Sequence, residues 1–434
     1  MDKQTIFYHL LGNTLFAAVI NMFIWFSIAF WVFLETESVL ATSYVAGIFA
    51  VANMLSAFVF GNIVDHNRKK KVMIYSSVVS LVFYIIGAAI FFTSPPEVFN
   101  NANSITLWGL IIVLMFGSVA GNLRLIALST TVTMLFSEGK DKANCLVGAM
   151  NGVSFSLTSV LSGLVIGFFG MGSAIVIAII VTILVLAHLP FVPLIEKEVV
   201  HMEGAGNKFN IKKTIAIIVT IPGLMMLIFF TTLNNFLGGV FMALMDAYGL
   251  SLVSVQTWGV MFSLASLGFI VGSVVITKVG LGKNPLRALL IVNMIVWIVA
   301  ALFTIQPSVW LLFVGLVIWM AVSPFAEAAE QTIIQSVVPF EKQGRVFGFA
   351  QSVESAATPI TAFLIGPIAT FIFIPFMTTG AGVDSIGDWF GVGQERGIAL
   401  VFVVTGLIGI GVTLLAFKTN AYRILSKHME SVKI

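Results

Sequence analysis

Four charged residues stand inside stretches that are otherwise apolar enough to cross a bilayer: Arg124, Glu327, Glu330 and Glu354. A charge held in hydrocarbon costs about 2.5–3.5 kcal/mol unless it is paired or wetted. One cation and three carboxylates can do two kinds of work there. They can form a buried ion pair that fixes helix packing, or a gate and proton site whose partners change as water enters and leaves. At about 1.5 Å per residue, Glu327 falls roughly 12 Å from the inner end of its span, and Glu354 and Arg124 lie at similar depths in theirs. The uncharged polar residues suggest a second kind of site. Asn21 and Trp25 are four apart and share a helix face, and Asn234 and Asn235 stand at a comparable depth further on. All four are candidates to line a midplane cavity. Their alternative role is hydrogen bonding between helices, worth about 0.6 kcal/mol each.

Other chemistry is missing. There is no nucleotide-binding Gly-x-x-x-x-Gly-Lys-Ser/Thr, no His-Glu-x-x-His and no Gly-x-Ser-x-Gly. The five histidines are scattered without metal-ligand spacing. The single cysteine, Cys145, excludes an internal disulfide and reads as a small core residue. The chain is therefore expected to be no enzyme, to hold no cofactor or metal, and to bind no nucleic acid.

The elements that must position these residues are membrane helices. Hydrophobic residues make up 59% of the 434 and charged residues only 9%, and the mean hydropathy is +1.06. Twelve spans are predicted, near 7–34, 39–64, 72–93, 105–134, 143–168, 171–194, 214–245, 251–278, 286–306, 309–335, 346–376 and 397–418. The first apolar run, from Ile6 to Leu34, is too long for a signal-peptide core and reads as a retained span. An even number of spans places both termini on one side. Of the 22 Lys and Arg residues, all but Arg124 and Arg396 fall in or beside alternate turns on that side, which makes it the cytoplasmic one. The opposite turns carry Glu35, Glu37, Glu97, Asp384, Asp388 and Glu395.

The polar stretch 196–213 is the longest interruption and divides the chain into an N-terminal six-helix half, 1–195, and a C-terminal six-helix half, 214–434. A faint repeat supports this division. Asp141-Lys142-Ala143-Asn144-Cys145-Leu146-Val147-Gly148 aligns with Glu341-Lys342-Gln343-Gly344-Arg345-Val346-Phe347-Gly348 at an offset of 200, each a charged turn that opens a helix. The eleventh span is interrupted by Pro359, Gly366, Pro367 and Pro375, which mark it as a bending element.

The turn between the second and third spans carries Gly61, Asp65, Arg68 and Lys69 in a Gly-x-x-x-Asp-x-x-Arg-Lys pattern, with His66 directly after the aspartate. It resembles the signature loop of the major facilitator superfamily. The stretch Gln335 to Gly348 resembles the drug-efflux branch that contains macrolide efflux permeases and the enterobactin exporter. The resemblance implies an all-α integral membrane fold of twelve transmembrane helices in two six-helix halves, working by alternating access. It implies that spans one, four, seven and ten line a central cavity, so that Arg124 and Glu327 face each other across the halves. It also implies that Asp65 meets the start of span eleven when the cytoplasmic side closes, a favourable place for a carboxylate. Two features depart from the antiporter pattern: the surroundings of Arg124 (Gly121-Asn122-Leu123-Arg124-Leu125) and a fifth span with Gly152, Gly163 and Gly167 but no proline.

The expected function is secondary active export of an amphipathic small molecule by proton antiport, by a monomer in a bacterial inner membrane with both termini cytoplasmic. Membrane lipids, protons and the substrate are its expected partners. The alternatives are an uptake symporter or a lipid flippase, and last a non-transporting receptor or enzyme.

Overall fold

The computed structural model describes residues 2–135, 140–194, 211–282, 284–338 and 340–431. Among these, every regular element is a helix. The sixteen longer helices are α1 (Lys3–Thr36), α2 (Val39–His66), α3 (Lys69–Thr93), α4 (Ile105–Ala120), α5 (Asn122–Leu135), α6 (Lys140–His188), α7 (Ile211–Thr220), α8 (Leu224–Leu252), α9 (Val255–Val279), α10 (Pro285–Leu302), α11 (Val309–Val337), α12 (Phe340–Ile368), α13 (Ile374–Thr378), α14 (Ala381–Phe390), α15 (Gln394–Lys418) and α16 (Asn420–Ser431). Their starts are written locally. The side chains of Asp2, Ser38, Ser104, Asn284 and Ser308 each accept from a backbone N–H in the first turn of α1, α2, α4, α10 and α11, and Pro285 follows Asn284 in the first helical position.

Eleven segments among the described residues are long and apolar enough to span. One of them, Val153–Phe191, has 39 residues, about 58 Å of helix against a hydrocarbon thickness of about 30 Å. Gly170 breaks it with φ 73° and ψ 179°, a conformation closed to most side chains. It therefore makes two crossings, and the twelve predicted spans are present. The repeat is also visible, because α6 opens at Lys140 and α12 at Phe340.

Three spans differ from expectation. The fourth is interrupted at Gly121, which separates α4 from α5. A Cβ there would lie 1.6 Å from the Asn21 amide nitrogen, so only glycine fits. The seventh is broken at Pro222 and Gly223 (φ 85°) into α7 and α8, and α8 runs on to Leu252. In the eleventh, the helix passes through Pro359 and Pro367 and then widens into a π turn, Ala369–Phe373, before α13. Two amphipathic helices, α14 and α16, were not foreseen.

The chain forms two compact units, Met1–Met202 with Val253–Ser263, and Glu203–Leu252 with Leu264–Ile434. The core of the first includes Phe7, Leu10, Val64, Met73, Leu123 and Leu128. There the opening turns of α9 pack on α6 through glycine: a Cβ at Gly163 would meet the Val255 carbonyl at 2.6 Å and the Gly259 Cα at 3.1 Å, and Ser159 Oγ donates to the Gly259 carbonyl at 3.0 Å. The core of the second unit includes Leu224, Ile228, Leu289, Ile333, Val346 and Leu425.

Candidate functional site

In the second unit, α8, α11 and α12 bring together the polar groups of otherwise apolar spans. Glu354 on α12 accepts a 2.6 Å hydrogen bond from Thr231 Oγ1 on α8. Glu330 on α11 is near enough to Glu354 and Thr231 to interact electrostatically with both. Thr231 is buried, and both carboxylates are half-buried. The packing that holds them is close. Thr361 Oγ1, two turns along α12 from Glu354, donates to the Phe236 carbonyl at 2.6 Å, and a Cβ at Gly239 would lie 2.9 Å from the Thr361 Cβ. On α11, Pro324 stands one turn before Glu327 and leaves the helix one backbone donor short. Glu327 itself is exposed, and its carboxylate accepts from Gln331 at a long 3.5 Å. The start of α12 at Phe340 also places Glu354 deeper from the helix end than predicted, about 21 Å rather than 12 Å. Thr231 escaped the sequence reading because a lone threonine in a helix usually bonds its own preceding turn. Here it also reaches Leu227 and Ile228 carbonyls at 3.2 and 3.1 Å.

Arg124 belongs to the first unit, where it is 1% exposed. Its Nε donates to Thr14 Oγ1 at 3.2 Å and its Nη1 to Ser77 Oγ at 2.7 Å, while Nη2 has no hydrogen-bond partner among the described residues. A polar cavity of about 10 Å³, room for one water, lies against Arg124, Asn21, Ser76, Ser80 and Thr182.

The other cavity candidates are engaged in packing. Asn21 is buried, accepts from Tyr84 Oη at 2.8 Å and accepts at its backbone carbonyl from Ser118 Oγ at 2.7 Å. Trp25 points elsewhere and stacks on Phe49 with centroids 3.8 Å apart. Asn234 Nδ2 donates to the Phe230 carbonyl at 2.7 Å, and its Oδ1 accepts from Trp297 Nε1 at 2.7 Å. Asn235, which is exposed, donates to the Thr231 carbonyl at 3.1 Å. Asn21 and Asn234 thus make hydrogen bonds between helices, and Trp25 makes a ring contact between them.

In the signature loop, Lys69 Nζ donates to the Val64 carbonyl and, at 3.2 Å, to that of Asn67, so it caps the end of α2. Lys70 Nζ reaches the Pro190 and Val192 carbonyls at 3.2 and 2.7 Å, beyond the end of α6. Arg68 is exposed. The side chains of Gly61, Asp65 and 341–345 lie outside the described ones, and so does the contact expected of Asp65. Of the linker 196–213, residues 196–210 are likewise outside the described residues, and 211–213 belong to the first turn of α7.

Arg396, the one cation on the acidic side, is no surface charge. It is 1% exposed, and its guanidinium donates to the carbonyls of Phe390, Thr304 and Ile305 at 2.6, 3.0 and 2.9 Å and to Tyr248 Oη at 3.3 Å, with its Cζ 4.1 Å from the Phe390 ring centre. The exception in the charge census is an internal clamp of the second unit.

Residues 11–362 match the family model described as Major Facilitator Superfamily. The chain belongs to the major facilitator superfamily. Solved transporters share the fold of this superfamily member over almost its whole length. It is similar to the nucleoside transporter NupG (TM-score 0.73, 10% identity, 96% of this chain and 100% of that one). It is also similar to a bacterial homologue of the human lysosomal transporter Spinster (TM-score 0.67, 13% identity, 99% and 98%) and to a D-xylose–proton symporter (TM-score 0.62, 12% identity, 93% and 96%). No curated protein sequence matches it. As a superfamily member with twelve spans, it is a multi-pass membrane protein of the secondary-transporter type, a family whose members are typically not enzymes.

Proposed function

We propose that this transporter exports an amphipathic small molecule in exchange for protons, and that the Glu330–Glu354 pair carries the proton. The observation behind this reading is the approach of two carboxyl groups on different helices, with the Thr231 hydroxyl bonded to one of them. Two neighbouring carboxyls in a low-dielectric layer favour holding one proton between them, because both charges together are strongly unfavourable. Release of that proton separates them electrostatically, so its loading is tied to the packing of α11 on α12. Glu327, exposed and one turn away, stands outside the pair. Export is favoured by the resemblance of Gln335 to Gly348, at the junction of α11 and α12, to the drug-efflux branch.

A second reading, proton-coupled uptake, is supported by the fold similarity to the D-xylose–proton symporter and uses the same carboxyl pair. Proteoliposomes with an imposed pH gradient and a panel of labelled amphipaths, sugars, nucleosides and peptides separate the two. An exporter drives its substrate against the proton flow; a symporter drives it with the flow. Transport of one compound that ignores the gradient entirely refutes both.

A further inference from the structure

At the end of the second unit where α8 and α10 begin and α15 ends, a cavity of about 270 Å³ is lined by Met226, Phe229, Leu233, Leu290, Leu415 and Tyr422 among other residues. It is far larger than a single water needs, but its lining is almost wholly apolar. The hydroxyl of Thr419 is turned inward to the Ala416 carbonyl at 2.8 Å and caps α16 by accepting from Tyr422 N at 3.2 Å. Leu233 lies nine residues inside α8, so the groove reaches about 13 Å along the helix, close to the depth of one leaflet's hydrocarbon.

The groove is a built feature of the fold. Its roof is α16, a twelve-residue amphipathic helix. Leu425 is 2% exposed and sits against Gly223, where a Cβ would come within 2.8 Å of it. Asn284 Nδ2 donates to Ser426 Oγ at 2.7 Å and ties α16 to the cap of α10. Exposed cations adjoin the lining residues in the chain: Arg287 follows Leu286, Lys418 precedes Thr419, and α16 carries Arg423 and Lys427 one turn apart beside the lining residues Tyr422 and Leu425, against one acid in its sequence, Glu430. The equivalent crevice of the first unit, between the start of α1 and the end of α6, is built differently. It is lined by His9, Asn13 and His188, with Asn13 Nδ2 bonded to the Val185 carbonyl at 2.9 Å and to His188 Nδ1 at 3.0 Å.

We infer that the groove under α16 is a binding site for an anionic phospholipid, one acyl chain lying between α8 and α15 and the headgroup held by Arg287, Lys418, Arg423 and Lys427. A dry slot that opens to the bilayer takes hydrocarbon, and clustered lysine and arginine at the membrane surface select a negative headgroup. The site depends on neither the substrate nor the direction of transport.

Native mass spectrometry of the full chain, exposed to phosphatidylglycerol or to phosphatidylcholine of the same acyl length, tests this. The wild type should retain phosphatidylglycerol at least ten-fold better. Arg423→Gln with Lys427→Gln should abolish that preference while lipid is still retained. Met226→Trp, which fills the groove, should lower retention of both lipids to a background set by the annular belt. A second measurement guards against misfolding. In Phe229→Trp, phosphatidylglycerol brominated along its chain should quench the added tryptophan fluorescence, and Arg423→Gln with Lys427→Gln should weaken that quenching. Equal retention of the two lipids by the wild type, or a preference unchanged by the charge variant, overturns the inference. So does full retention in a monodisperse Met226→Trp protein.

Discussion

Glu354→Gln isolates proton carriage from packing. Glutamine keeps the shape of the side chain, and its Oε1 still accepts the hydrogen bond that Thr231 donates to Glu354 at 2.6 Å. An amide–carboxyl contact with Glu330 replaces the carboxyl–carboxyl one. The change in stability should therefore be no more than the net value of one hydrogen bond, about 0.5–1.5 kcal/mol. The effect on coupling should be much larger. Each pH unit across the membrane is worth about 1.36 kcal/mol per proton, so a difference of about two units supports roughly 100-fold accumulation at one proton per substrate. Without a titratable group at position 354 that accumulation should fall to about one-fold. Equilibrium exchange of labelled substrate, which needs no proton release, should persist. The assay is paired accumulation and exchange in the same proteoliposomes, with Glu330→Gln measured beside it and Glu327→Gln as the exposed control. If Glu354→Gln and Glu330→Gln both keep gradient-driven accumulation, the pair does not carry the proton.

Gly163→Val should destabilise the first unit by about 1–3 kcal/mol, because its side chain must displace the Val255 carbonyl and the Gly259 backbone; a lowered thermal midpoint in detergent reports it. Arg396→Ala should cost about 1–3 kcal/mol for each buried carbonyl it leaves unsatisfied, and Arg396→Lys should recover little, since an ammonium cannot reach the Phe390, Thr304 and Ile305 carbonyls and Tyr248 together; thermal unfolding measures both. In a Cys145→Ser background, a cysteine at exposed Arg68 should resist an impermeant thiol reagent in intact cells and one at exposed Asp388 should react; the reverse pattern refutes a cytoplasmic first loop.

The spans were legible because apolar runs of bilayer length leave few alternatives, and the helix starts because Ser38, Ser104, Asn284 and Ser308 are written as caps. Their interruptions were harder to read. Gly121 looks like any helical glycine until Asn21 is placed against it, whereas the break at Gly170 falls between the spans predicted at 143–168 and 171–194. The acids of the candidate site stood out by cost alone, but cost does not rank them. Glu330 and Glu354 converge with Thr231 while Glu327 remains exposed, a distinction set by helix azimuth rather than composition. Charge counting sets Arg396 apart by sign and position but does not register the carbonyls that surround its guanidinium. His9 and His188 stack with centroids 5.5 Å apart, a pairing that residue spacing cannot reveal.

The π turn at Ala369–Phe373 acts as a phase setting for α12. Each residue of an α-helix advances the side-chain direction by about 100°, and a π turn takes up one residue more than the α-helix it replaces. The azimuth of Glu354 relative to α13 and α15 is therefore fixed by a count of residues in a segment about 15 positions away, with no bond between them. Substitutions within 369–373 leave that count alone. A one-residue deletion there removes the surplus residue and returns the turn to α-helical pitch with both flanks in phase, whereas drawing the turn into α-helix with all its residues kept must rotate one side of the helix by about 100° against the other. Either Glu354 then turns away from Thr231, or α13 turns away from the face of Gly397, whose Cβ would stand 2.6 Å from the Ile374 Cα. In this reading the carboxylate is aimed from the far end of its own helix, like a shaft keyed at a distant collar.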